Sequence, residues 1–463
     1  MGDIVTNYSL DPTEENVLAL LERDPLDRRK EVFRFVQLLE AIDDHCTIAL
    51  NGSWGSGKTF FVKQIKLILD SKNPFSCQSE ELRARVHTLF PAVFSCDESC
   101  VTLYYDAWMN DNNIDPILSL VYASISSRQS DFQPGRQHEI WRAAGKLFDT
   151  IHETNVSDFF ESLRGDDPLA QPRNLEDIYF LVKEFMDKLL EERGNRLIIF
   201  IDELDRCKPD YAIRLLERIK HYFDDERIVF VFSVSLSQLQ WTVKAYYGGG
   251  FDATRYLDKF FDLHISLPDV DRRLFLEQRL RYGSALHGLS EVCVKTAQYF
   301  KFSLREMERY ARLVRIAMNK NSRALHETGF SDEKAHYFAL NYVVPICIGM
   351  RMHNFQTYRD CIDGKNAETM IRILEYASNG IYQGFLLGPN EKQEDDFQKE
   401  DGRKTVKSYA QKLEEVHHAL FVETFDDEVR ELTIGKMSFS SETRKNVMDI
   451  LTLLSPFADY RFE

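Results

Sequence analysis

The chain has 463 residues, 44% of them hydrophobic and 29% charged, with 33 Phe and 20 Tyr. That is length for two or three domains, and it excludes both a disordered polar chain and a disulfide-dense miniature scaffold. The formal charge of −16 is spread along the chain, with 16 basic and 23 acidic residues in 331–463 against 42 and 51 in 1–330, so no basic half is hidden and direct nucleic-acid binding is not expected.

The eight cysteines stand singly, and Cys96 with Cys100 has no second pair at zinc spacing, so buried reduced thiols are expected. The leading MGDIVTNYSLDPTEEN is polar and acidic, unlike a signal peptide. The most apolar uncharged stretch, Tyr337 to Met350, carries Asn341, Pro345 and Gly349 and falls short of the roughly 18 residues that a membrane span needs. It reads as a buried helix in a cytoplasmic chain with no membrane segment.

In chain order, residues 11–45 read as helices, with Val32, Phe33, Phe35, Val36, Leu38 and Leu39 forming an apolar stripe. Thr47 to Leu50 predicts a short buried strand that runs into Asn51-Gly52-Ser53-Trp54-Gly55-Ser56-Gly57-Lys58-Thr59, and Phe60 to Leu69 predicts a helix. Next come a strand at Val101–Tyr105 and a helix at about Pro116–Ser127. Residues 128–195 are mixed, with helical pieces around 138–150 and 175–193 and a Gly/Asp/Pro-rich break at 165–173. Two strongly apolar strands, Leu197–Ile201 and Ile228–Val234, flank an amphipathic helix at 210–223.

A last short strand, His264–Leu267, stops at Pro268, and beyond it nearly everything reads helical. Ser303 followed by Glu306 predicts a capping-box start for a helix with Leu304, Met307, Tyr310, Ala311 and Val314 on one side. The charged run at 388–404 reads as a solvated loop. There is no internal repeat at a period of 20–50 residues.

The segment Gly52 to Thr59 satisfies G-x-x-x-x-G-K-[ST] between a predicted strand and a predicted helix. Glycines let such a loop turn its backbone N–H groups onto phosphates, and the helix N-terminus adds partial positive charge. Gly52, Trp54, Gly55, Ser56, Gly57, Lys58, Thr59 and Phe60 are therefore the candidate ATP-binding residues. Lys58 would reach the β and γ phosphates, and Thr59 would offer a hydroxyl to Mg²⁺. Leu197 to Ile201 describes a parallel strand buried on both faces, and Asp202 at its end is the second candidate Mg²⁺ ligand. Glu203 is placed to polarise the attacking water.

GSWGSGKT (Gly52–Thr59), IDELDRC (Ile201–Cys207), YYDAW (Tyr104–Trp108) and YLDKFFDLHISLP (Tyr256–Pro268), in that order, resemble the KAP family of P-loop NTPases over roughly residues 24–320. The resemblance implies an ATPase of the additional-strand type, in which another strand separates the acidic strand from the P-loop strand. Lys58, Thr59, Asp202, Asp205 and Arg206 carry over by position. Glu203 stands where the family's D-D-L-D-R run has its second Asp, Asp106 where Asn is common, and Ser235 where an Asp is usual. Many members carry transmembrane helices between the two nucleotide motifs; the 144 residues from Lys58 to Asp202 contain no run of that length. A soluble branch is implied, and with it the defence role that soluble bacterial members often have.

The expected architecture is α/β: a P-loop NTPase parallel sheet of the additional-strand type in residues 1–270 with a helical insertion at about 111–195, a helical lid at 271–330, and a mainly α-helical C-terminal domain at 331–463. Lys259 and Arg255, beside Gly248-Gly249-Gly250, are candidate γ-phosphate fingers in cis or from a neighbouring subunit, and Arg305 a candidate sensor from the lid. Trp54 and Trp108 read as packing residues, and His417 with His418 as an exposed helix face. Function is expected as Mg²⁺-dependent ATP hydrolysis that drives a conformational or assembly switch, acting on a protein partner or effector encoded nearby or on other copies of the chain. The alternatives are a non-hydrolysing nucleotide-binding scaffold and, third, a P-loop kinase. GTP is disfavoured because no Asn-Lys-x-Asp run occurs.

Overall fold

A computed structural model describes residues 11–95, 100–113, 115–126, 142–143, 146, 170–190, 194–280, 287–327, 333–376, 383–386, 409–425 and 430–453. The chain divides into two compact units, Met1–Asp269 and Val270–Glu463.

The first unit is built on five parallel strands: β1 (Cys46–Asn51), β2 (Cys100–Asp106), β3 (Arg196–Asp202), β4 (Ile228–Val234) and β5 (Leu263–Ser266). They lie in the order β2-β3-β4-β1-β5, so β4 separates the P-loop strand from the acidic strand. The apolar runs explain the placing. In β3, Ile198 and Phe200 face one way and Ile199 and Ile201 the other, and each set enters a separate core. One core is closed by the helices Glu14–Arg23, Arg29–Ala41, Lys58–Lys72 and Glu80–Leu89. The other is closed by Pro116–Ser126, Ala170–Leu190, Pro209–Tyr222 and Leu236–Tyr247.

Parallel strands with helical crossovers bring all their carboxyl ends to one edge. Asp202 is there in register with Asp106 on β2 and Ser233 on β4, and Asn51 with Val234 and Ser266. The predicted strands are each present. The helix expected from Phe60 begins two residues earlier, at Lys58, which puts Lys58 and Thr59 in its first turn.

The second unit is mainly helical. The Ser303 capping box forms as expected: Ser303 N donates to Glu306 Oε2 at 2.8 Å and Glu306 N to Ser303 Oγ at 3.4 Å, opening the helix Leu304–Glu327. The apolar stretch at 337–350 is buried, with a π-helical turn Ala339–Val343 running into the helix Val344–His353. Pro345 has no N–H to give to the carbonyl four residues back, and a wider turn accommodates that loss.

Three expectations change. Residues 431–440 form an antiparallel hairpin, β6 (Glu431–Ile434) with β7 (Met437–Ser440), turned through Gly435 at φ 59°. A positive φ at the first of two loop residues is a glycine requirement of tight hairpins. His417 is buried, its Nε2 2.8 Å from the Cys361 carbonyl oxygen, because Leu413, Val416, His417 and Leu420 share one helical stripe and His417 falls inside it. The break expected at 165–173 is helical from Ala170 onward. The piece at 138–150 lies largely outside the described residues, and the run at 388–404 wholly so. Among the described residues, no helix is long and apolar enough to cross a membrane.

Candidate functional site

β1 ends at Asn51, and the chain turns through Gly55 (φ 73°) and Gly57 (φ 91°) into the helix at Lys58. These left-handed conformations suit glycine. A Cβ on Gly52 would lie 2.8 Å from Ser56 Oγ and 3.1 Å from Lys58 Cγ, so the cradle is too close for any other residue to fit without displacement. Ser56 Oγ is buried and without a hydrogen-bond partner, a polar atom left for a ligand. Lys58 is folded back on the loop, donating to the Gly52 and Ser53 carbonyls at 2.7 and 3.2 Å. Burial lowers its ammonium pKa, opposed by Asp205, Asp202 and Glu203. Arg28 braces the loop from behind, its guanidinium donating to the carbonyls of Ser56 and Pro268. Burial pushes its pKa down to about 10.

Asp202 is 1% exposed at the end of β3. Its Oδ2 accepts from Thr59 Oγ1 at 2.7 Å and from the Tyr104 hydroxyl at 2.9 Å, and its Oδ1 from the Glu203 N–H at 3.0 Å. Burial first, then Asp202, raises the Tyr104 phenol above its ordinary pKa, which keeps it a donor. Thr59 and Asp202 are hard oxygen donors in contact, the pair with which P-loop proteins hold Mg²⁺ against substrate phosphates. Among the described residues there is no group of three or more His, Cys, Asp or Glu that would cage a metal by itself. The residues therefore fit a hydrated Mg²⁺ shared with phosphate, and not an all-protein site.

Glu203 follows in a left-handed conformation, φ 60° and ψ 23°, a strain of order 1–3 kcal/mol for a residue with a side chain. The turn carries its carboxylate onto the Arg206 guanidinium. Burial and the neighbouring Asp202 raise the Glu203 pKa, with Arg206 opposing. Arg206 in turn lies 5.9 Å from the Trp54 ring centroid and 5.6 Å from that of Trp108. Asp205, buried, accepts from Trp54 Nε1 at 2.6 Å. The packing reading of the two tryptophans is thus corrected. They are 48% and 51% exposed, and they hold Asp205 and Arg206 in the turn after the acidic strand, because a ring N–H and a π face serve those two better than a core would.

The remaining candidates scatter. Phe60 is half-buried against the core behind the loop. Ser235 is buried, 3.1 Å from Ser237 Oγ, and the next residue's N–H goes to Asn51 Oδ1 at 3.0 Å. Asp106 Oδ1 caps its own turn, accepting from Met109 N at 3.0 Å. Lys259 and Arg255 are exposed at the opposite, amino edge of the sheet. Asp262, three residues after Lys259, is paired with Thr47 at the start of β1, its N–H to the Thr47 carbonyl at 2.8 Å. A strand of about 3.3 Å per residue separates that edge from the loop, so the fold does not bring either residue beside the loop in cis. Arg305 is exposed in the first turn of its helix in the second unit.

Residue-by-residue reading missed the contributions of Tyr104, Asn51 and Arg28. Tyr104 had a usable signal, since β2 and β3 as parallel neighbours put its ring next to the acidic end of β3. For Arg28 the sequence holds none, because its acceptors are carbonyls 28 and 240 residues away.

The sequence model of the KAP family P-loop domain matches residues 28–321. An uncharacterized protein of Methanocaldococcus jannaschii is 50% identical over 38 residues, which are 8% of this chain and 20% of that protein. The chain thus spans about a fifth of that relative's length.

Proposed function

This chain belongs to the KAP family of P-loop NTPases, and on that premise we propose that it is a Mg²⁺-dependent ATPase whose cycle switches the conformation or assembly of protein partners. One observation carries the reading: Thr59 Oγ1 on Asp202 Oδ2 at 2.7 Å, beside a buried Lys58 and at the same edge as Glu203. ATP is preferred to GTP because the chain has no guanine-reading Asn-Lys-x-Asp run.

The residues divide the work by chemistry. The loop N–H groups and the helix N-terminus hold phosphate charge. Lys58 exchanges its two carbonyl acceptors for phosphate oxygens, and three carboxylates oppose the lowering of its ammonium pKa by burial. Bound Mg²⁺, held by Thr59 and Asp202, supplies charge neutralisation on the phosphates. Glu203 accepts a proton from water, and for that its carboxylate must leave Arg206. The Glu203–Arg206 pair is therefore a resting position, and Arg206 is freed for an anion at the step that frees the base.

The same pair favours a second reading, a scaffold that holds nucleotide and turns over little. A kinase ranks third. Phosphate release from ATP and from GTP, with Mg²⁺ and with EDTA and without any acceptor, separates them. Release from ATP that needs Mg²⁺ supports the ATPase; retention of bound ATP without release supports the scaffold; release only with an added acceptor supports the kinase.

The partner is proposed to be a protein, encoded nearby, or another copy of the chain. The support is the −16 charge, which disfavours nucleic acid, and the exposed Trp54 and Trp108 beside the base. In such an assembly Lys259 of one copy is available to the site of the next. By resemblance to soluble bacterial members of the family, the pathway proposed is anti-phage defence, in the cytoplasm. Loss of phage resistance in cells carrying the Lys58→Ala chain, against the wild-type chain, tests it.

A further inference from the structure

A cavity of about 360 Å³ lies off the nucleotide edge, between β2, the later turns of the helix Lys58–Lys72, the start of the helix Glu14–Arg23 and the turn at 73–78. No residue of the loop Gly52–Thr59 lines it. Its size falls in the range of small-molecule pockets.

Two lysines, Lys63 and Lys66, and two carboxylates, Glu14 and Asp70, line it, and one pair is closed. Lys66 is ion-paired with Asp70, which also accepts from the Thr102 hydroxyl. Lys63 has no carboxylate within ion-pair distance among the described residues. Its Nζ makes one long hydrogen bond, 3.4 Å to the Pro12 carbonyl, and sits 4.7 Å from the centroid of the Tyr104 ring. Half-buried ammonium groups are costly without an anion in contact, and burial lowers this one, opposed from further off by Asp202, Asp11 and Asp106. The rest of the lining is mixed: Val17, Leu67 and Val101 are buried and Phe75 stands 57% exposed at the rim, beside the polar Asn73, Ser76 and Gln78.

From this lining we propose that the cavity binds a small organic anion, its carboxylate or phosphate on Lys63 and its apolar or aromatic body over Leu67 and Val101 beneath Phe75. The site is wired to the nucleotide edge. The Tyr104 ring lies under Lys63 while its hydroxyl holds Asp202, so an anion that draws Lys63 aside changes the bond on the metal carboxylate. This second clause rests on the proposed ATPase; binding in the cavity does not.

The test uses the full chain without nucleotide, titrated with 3-phenylpropionate, phenyl phosphate and the neutral 3-phenylpropanamide by calorimetry. At least one acid is expected to bind tenfold or more better than the amide, since a hydrogen bond to a charged group contributes about 1.5–3 kcal/mol. Which acid binds better tells carboxylate from phosphate. Lys63→Met should remove the preference, with circular dichroism unchanged. Acids that bind no better than the amide, or as well to Lys63→Met, overturn the site; loss of binding in Lys58→Ala shows the acid in the P-loop and overturns it too. With the acid saturating, ATP turnover should shift in its Mg²⁺ dependence in wild type and not in Tyr104→Phe. An equal shift in both, or none in wild type, overturns the coupling alone.

Discussion

The two edges of one sheet hold similar residue types in opposite states. At the carboxyl edge Lys58, Asp202 and Asp205 are buried, Glu203 is in a left-handed conformation, and the hydroxyls of Ser56 and Ser233 have no partner. At the amino edge Arg255, Asp258 and Lys259 are exposed, Glu217 accepts from the Tyr247 and Tyr256 hydroxyls at 3.2 and 3.0 Å, and Asp262 is satisfied by the Thr47 N–H at 2.7 Å. Parallel strands make the difference. They open the N-termini of the crossover helices at the carboxyl edge, so unspent polar capacity and strain gather there. The amino edge satisfies most of its groups, with His45 Nδ1 an exception.

Mutation can break this asymmetry at several strengths. Glu203→Gln should lower turnover by about 10²–10⁴, the usual worth of a general base, with ATP affinity unchanged in filter binding; a loss of affinity instead would mean that Glu203 holds ligand. Trp54→Phe removes the N–H on Asp205 and should cost ~1 kcal/mol of unfolding free energy in urea, with turnover falling as Asp205 loosens.

The pH dependence of kcat/KM sharpens the electrostatic half. Glu203 must be ionised and Lys58 protonated, and their pKa values are raised and lowered. The acid limb should thus lie above the ordinary Glu value of about 4.3 and the alkaline limb below the ordinary Lys value of about 10.4. Arg206, ahead of Lys58, is the larger of two cations that hold the Glu203 pKa down, so Arg206→Ala should move the acid limb to higher pH. A limb that moves down, or stays, removes Arg206 from the base. Least of all, Lys259→Ala should change turnover by about twofold or less in dilute protein, as exposed surface changes do. A larger loss that grows with protein concentration would show Lys259 acting on a neighbouring copy.

Much of the site was legible because it is local. Five apolar residues before Asp202 specify a strand buried on both faces, and the glycine spacing before Lys58 specifies the loop. What was not legible depends on one dihedral or on distant chain. The Glu203–Arg206 pair follows from φ 60° at Glu203, which no residue type announces; the Trp54–Asp205 bond joins residues 151 apart. Other features were there to be read. Lys259 precedes β5 by four residues, and a strand parallel to β1 must start at the amino edge. Glu431 to Ser440, ELTI-GK-MSFS, is two short runs about a glycine turn. His417 lies three and four residues from Leu420 and Leu413, on the inner stripe.

The central claim is that the carboxyl edge turns over ATP and does not merely bind it. Phosphate release by the full chain at saturating ATP and Mg²⁺, wild type beside Lys58→Ala, tests it most directly. The account predicts steady release by wild type that Lys58→Ala loses. Wild type releasing no more phosphate than Lys58→Ala, with ATP bound, would contradict it.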